Sequence, residues 1–171
     1  MKTIKHSASF FTFVSIFALI LYLLDTTGLL TLKIGTAHPL LLIPFLVAVS
    51  MTAREWVGLV FGALFGVMLD ITAANSFCFN LVIMLIIGCV CGLLCSFVVN
   101  DNIYSSILLS LAAGLFYFVV KWLWFYVFSG RGEAFNYFIT YALPSAAYTA
   151  LFILPFYYLV KFVSKKTYYI V

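Results

Sequence analysis

The chain has 171 residues, of which 66% are hydrophobic and 8% charged. A soluble domain carries roughly 25% charged residues, so there is too little polar surface to face water, and a water-soluble enzyme or binding module is excluded. The formal charge of +4 is scattered, and no run of Lys or Arg suggests a nucleic acid partner.

A membrane-spanning helix needs about 20 apolar residues, and six of them would use roughly 120. The composition therefore predicts an all-α integral membrane protein, a bundle of about six transmembrane helices forming one domain over residues 1–171. The first helix is expected over residues 10–24. Lys2 and Lys5 ahead of it give it the look of a signal sequence, but no small-x-small cleavage site follows Leu24, so it reads as retained. Asp25, Thr26, Thr27 and Gly28 read as the turn that ends it.

The second helix is expected over residues 39–52. Pro39 suits a first helical turn, whereas Pro44, further in, should kink the helix. The third, over 56–72, follows Arg54 and Glu55. The fourth covers 77–99 and is ended by Asn100, Asp101 and Asn102. The fifth runs over 103–128 until Ser129, Gly130, Arg131, Gly132 and Glu133 break it. The sixth covers 137–163, with Pro144 and Pro155 as internal kinks.

Six spans with both ends inside put Lys2, Lys5, Arg54, Lys161, Lys165 and Lys166 on the cytoplasmic side and only Lys33 and Arg131 outside. Short cytoplasmic loops carry the excess of basic residues, so both termini are expected in the cytoplasm. Trp122, Trp124 and Tyr126 would then lie at the outer interface, and Trp56 and Tyr104 at the inner one.

The sharpest pattern lies on the third helix, where Gly58, Gly62, Gly66 and Asp70 recur at every fourth position. At 3.6 residues per turn they form one slowly drifting face. Glycines there allow close backbone approach, either to another helix of the bundle or to a partner's helix or a lipid. Gly88 and Gly92 repeat the spacing once on the fourth helix. An ionised side chain at a helix centre costs roughly 2.5–3.5 kcal/mol on insertion scales. Asp70 and Lys121 fall at similar depth, which makes an intramembrane ion pair between them an expectation. The competing reading ends the third helix at Asp70 and lets Lys121 snorkel to the interface.

Cys78, Cys89, Cys91 and Cys95 lie in apolar stretches with no Cys-x-x-Cys and no nearby His, so no metal site is expected and packing is their role. No nucleophile–base pairing, zinc-protease motif or phosphate-binding glycine loop is visible. Neither an enzymatic function nor a cofactor is expected.

Several of these residues resemble the rod-shape-determining protein MreD family. They are Pro39, Leu40, Leu41 and Leu42 at the start of the second helix, the short turn with Arg54, the Gly58–Gly62–Gly66–Asp70 series, and Leu143, Pro144 and Ser145 early in the last helix. The family commonly has a glycine several residues past the Asp, and Ile71 through Phe77 contain none. The resemblance implies a non-catalytic subunit of the elongasome in the bacterial inner membrane, acting in cell-shape determination and lateral peptidoglycan synthesis. MreC, MreB and the peptidoglycan polymerase–transpeptidase pair are the partners it implies. It further implies a fold similar to the S components of energy-coupling-factor vitamin transporters. A substrate-binding S component is thus the alternative, but the Ala-x-x-x-Ala docking face usual on their first helix is absent, since Ala8 and Ala18 have the wrong spacing. A third reading makes Asp70 and Lys121 part of an ion or lipid pathway.

Overall fold

The computed structural model describes residues 8–27, 40–52, 55–72, 78–97, 102–127 and 138–168. These segments are almost entirely helical: α1 (Ala8–Thr27), α2 (Leu42–Thr52), α3 (Glu55–Thr72), α4 (Phe79–Phe97), α5 (Ile103–Trp122), α6 (Leu143–Leu151) and α7 (Ile153–Tyr168). A π-helical turn, Leu123–Val127, continues α5, and another, Phe138–Ala142, leads into α6. Four stretches are long and apolar enough to cross a membrane: Phe10–Thr27, Phe79–Phe97, Ile103–Phe125 and Thr140–Lys165.

The bundle is built around α2. This helix is apolar on every side, as a helix must be if no face meets water, and every residue from Leu42 to Met51 is buried. At 11 residues it is about 16 Å long, half of the roughly 30 Å hydrocarbon core. Helices α1, α3, α4, α5 and α7 all pack against it. Phe45 is the pivot: its ring lies 5.1 Å from Phe17 of α1, 5.7 Å from Phe156 of α7 and 5.8 Å from Phe65 of α3. Neighbours also satisfy the backbone at both ends of α2. Thr149 Oγ1 accepts a hydrogen bond from the Leu40 N–H at 3.2 Å, and the Cys95 thiol donates to the Met51 carbonyl at 3.4 Å. Helix ends leave such groups without intrahelical partners, and inside a bundle water is not at hand to take them.

Two local expectations change. Helix α2 starts at Leu42, so Pro44 stands in its first turn, between the bonds Ile43 N–H to Leu40 O and Phe45 N–H to Leu41 O. A proline in the first turn removes no intrahelical hydrogen bond, and the expected kink there has no cause. Helix α1 does not stop at Asp25 but runs to Thr27. Thr26 and Thr27 turn their hydroxyls back onto the carbonyls of Tyr22 and Leu23, both at 2.7 Å, which suits a helix in an apolar medium. Pro39 and the turn at Arg54 lie outside the described residues, as do Lys2, Lys5, Lys33 and Arg131.

The last apolar stretch is divided. Helix α6 ends at Leu151, Phe152 forms a turn in which its N–H bonds Thr149 O at 3.2 Å, and α7 begins at Ile153. Pro155 falls in the first turn of α7. It has no N–H to offer the carbonyl of Leu151, and its ring crowds that position, so the break sits ahead of it. Pro144 stands at the junction where the π-helical turn passes into α6.

Candidate functional site

The glycine face of α3 is filled by α4 of the same chain. A side chain of even one carbon on Gly58 would come to 2.6 Å from the Gly88 carbonyl oxygen and 2.7 Å from Ser50 Oγ. On Gly62 it would come to 2.5 Å from the Met84 carbonyl oxygen, and on Gly66 it would run into the Leu81 backbone. Gly88 in turn abuts the Gly58 backbone. The two helices run antiparallel in register, with Gly58 opposite Gly88, Gly62 opposite Met84, and Gly66 opposite Asn80 and Leu81. Backbone lies on backbone along the whole face, so no room is left for a partner's helix or a lipid between them. Gly92 is buried one turn beyond Gly88. Gly114 of α5 differs: its neighbour Ala146 stays at 3.7 Å or more, an ordinary contact.

Asp70 completes this face. Its Oδ1 accepts a hydrogen bond from the Asn80 N–H at 3.0 Å, and its Oδ2 accepts one from the Leu81 N–H at 2.9 Å. These are the second and third residues of α4, whose amides have no partner within their own helix. Asp70 thus caps a neighbouring helix, and its negative charge meets the positive end of that helix's dipole. Cys78, at the position where α4's own cap would stand, has a φ of 59°. A capping residue reaches the helix amides from extended backbone, and Cys78 is in the left-handed region instead.

Among the described residues no ion pair joins Asp70 to Lys121, so that expectation is corrected. The carboxylate is taken up by backbone donors, while Lys121 is exposed and holds its ammonium 5.6 Å from the centre of the Tyr117 ring. The two charges are linked only through intermediates. Tyr117, buried on α5, donates its hydroxyl to Asn80 Oδ1 at 2.9 Å, and Asn80 is the residue whose N–H serves Asp70. Asn80 and Tyr117 were not among the expected site residues. A polar side chain and a tyrosine on two apolar helices carry no sequence sign that they face each other.

An aromatic group surrounds this end of the bundle. Phe79 lies 5.8 Å from Trp124 and 5.4 Å from Phe125, and Trp122 lies 5.1 Å from Phe138. Tryptophans such as Trp122 and Trp124 favour the level of lipid headgroups. Asp70, two residues before the end of α3, lies toward this aromatic end, and one charged group near an interface costs less than at the bilayer centre.

Among the described residues no cluster of His, Cys, Asp and Glu could hold a metal ion. What the site can do is join helices. An apolar bundle, a backbone-to-backbone helix pair and polar ties near one interface define a multi-pass membrane protein built on helix packing. The chain belongs to the MreD family: the model of the rod shape-determining protein MreD matches residues 5–166. The family links it to determination of rod shape. No curated protein and no solved structure matches the chain, so the likeness to transporter S components rests on the family resemblance alone.

Proposed function

We propose that this protein is a non-catalytic scaffold of the bacterial elongasome, seated in the inner membrane with both termini in the cytoplasm, where it holds MreC and, through it, MreB and the peptidoglycan polymerase–transpeptidase pair. The family match supports the reading. One feature of the bundle supports a seat for a partner helix. With the α3 face closed by α4, an arriving helix needs another seat, and α4 and α5 part to leave an apolar cleft of about 250 Å3. Ile86, Val90 and Leu94 line one wall, and Ala112, Ala113 and Phe116 the other. Lipid gives helices no hydrophobic reason to associate, so close packing on small residues such as these alanines is the main source of affinity. The cytoplasmic placement of the termini draws support from the excess of basic residues that it puts on the inner side.

The test is affinity purification of the tagged protein in mild detergent, with mass spectrometry of what is retained. MreC is expected with the wild type. Ala112→Trp, which changes an exposed residue, is expected to lose MreC by roughly tenfold while keeping its own thermal stability, a clash in the cleft being worth over 1 kcal/mol. Undiminished MreC in the variant would remove the cleft as its seat. Recovery of a transporter's coupling subunit and ATPases would instead make the protein a solute-binding component.

A further inference from the structure

The end of the bundle opposite Asp70 carries a second polar feature. An open cavity of about 570 Å3 lies between the start of α5 and the last turns of α7. Its lining includes Asn102, Tyr157, Tyr158, Lys161, Phe162 and Lys165. Lys161 and Lys165 stand one helical turn apart, so both cations serve the same face. Buried Tyr157 fixes the first of them: its hydroxyl accepts a hydrogen bond from Lys161 Nζ at 2.7 Å, and its ring centre lies 4.8 Å from that nitrogen. Asn102, the residue ahead of α5, makes no capping hydrogen bond with its side chain. Among the described lining residues there is no carboxylate. The rim is apolar, with Tyr158 62% and Phe162 69% exposed.

We propose that this cavity binds the phosphate of an anionic membrane lipid. Two lysines on a shared face and the uncapped start of a helix suit a phosphate oxyanion. The exposed rings of Tyr158 and Phe162 suit the glycerol and upper acyl chains that come with it. A soluble phosphate compound would leave those rings without a partner, so the lipid is the source the lining favours. In the orientation proposed above, the cavity opens to the cytoplasmic leaflet, where anionic lipid is the attraction for basic residues.

The full-length protein, stripped of lipid in detergent, is titrated with phosphatidylglycerol, with phosphatidylcholine or with inorganic phosphate, and followed by native mass spectrometry and thermal unfolding. Phosphatidylglycerol is expected to be retained and to raise the unfolding temperature. The double variant Lys161→Gln/Lys165→Gln is expected to weaken that retention by roughly tenfold or more, at about one lysine's worth of surface attraction each. Should the double variant fold poorly, Lys165→Gln alone changes only an exposed side chain and is expected to lose several-fold, while Lys165→Arg keeps retention. Asp101→Asn, removing the acidic residue that precedes Asn102 in the chain, is expected to retain the lipid at least as well. Equal retention of phosphatidylcholine, or unchanged retention in the lysine variants, would overturn the proposal. So would stabilisation by inorganic phosphate with none from phosphatidylglycerol, which would indicate a soluble phosphate compound.

Discussion

A carboxylate near the end of a membrane helix can be satisfied by water, by a cation or by backbone donors. For Asp70 the donors are the amides of Asn80 and Leu81, and this choice has measurable consequences. Hydrogen bonds to a charged group contribute about 1.5–3 kcal/mol, so Asp70→Ala is expected to destabilise the protein by roughly 2 kcal/mol or more in thermal unfolding in mild detergent. Asp70→Asn, which keeps one acceptor, is expected to lose less. Combined with Lys121→Met, the losses are expected to add within about 0.5 kcal/mol, as they do for groups that share no direct contact. A coupling of well over 1 kcal/mol would restore the ion pair. The sequence made Asp70 conspicuous, through its charge and its place in a four-residue series, but not its partners. Backbone amides belong to every residue and leave no mark in a sequence. Cys78 adds a related lesson. The lack of the family's glycine from Ile71 to Phe77 is a departure from the resemblance, and the left-handed backbone that glycine favours occurs at the next residue, Cys78, with φ 59°.

At the scale of the element, the α3–α4 pair explains why the glycines recur. Each would-be side chain on Gly58, Gly62, Gly66 or Gly88 meets backbone of the other helix, and backbone cannot swing aside as a flexible side chain can. Gly62→Leu is therefore expected to prevent the pair from closing and to lower the yield of folded protein, measured by monodispersity in detergent, whatever partner is present. Gly62→Ala should act in the same direction but less severely, at more than 2 kcal/mol by comparison with overpacked cores. Gly114→Ala is the control, because Ala146 leaves it room, and it should leave the yield unchanged. If Gly62→Leu folded normally, the pair would not be as close as described. The spacing of these residues was legible in the sequence as one helix face. Whether that face met a partner or its own neighbour was not, since packing within a chain and between chains obeys the same rules. Element ends were less legible. Pro44 and Asp25 carry breaker signals, yet a first-turn proline breaks nothing and two threonines bonded back to carbonyls let α1 continue.

For the whole molecule, the informative element is the shortest. Helix α2 reads as an incomplete span because length is the first property judged against a bilayer. Enclosure by its neighbours makes it the core instead, and its lack of polar residues other than Ser50 and Thr52 was the one sequence sign of this. Phe45→Ala is expected to cost about 3–5 kcal/mol, more than the same change at an exposed ring such as Phe97, as judged by unfolding midpoints in one detergent. Equal losses at the two sites would mean that α2 is not the centre of the bundle. Six apolar stretches, and hence a membrane bundle, were readable from composition and turn residues. Their arrangement was not, because nearly every face of every helix is apolar and periodicity then has little contrast.

The tie from Asp70 to α4 also bears on how the chain is made. Synthesis delivers α3 before α4, and until α4 arrives the two amides that Asp70 needs do not exist. During that interval the carboxylate has only water near the membrane boundary to bond, and α3 carries a face of bare glycines. Both are relieved in one step when the second helix folds back along the first. The α3–α4 hairpin is thus the smallest unit in which the contacts of Asp70 and the glycine face are both complete.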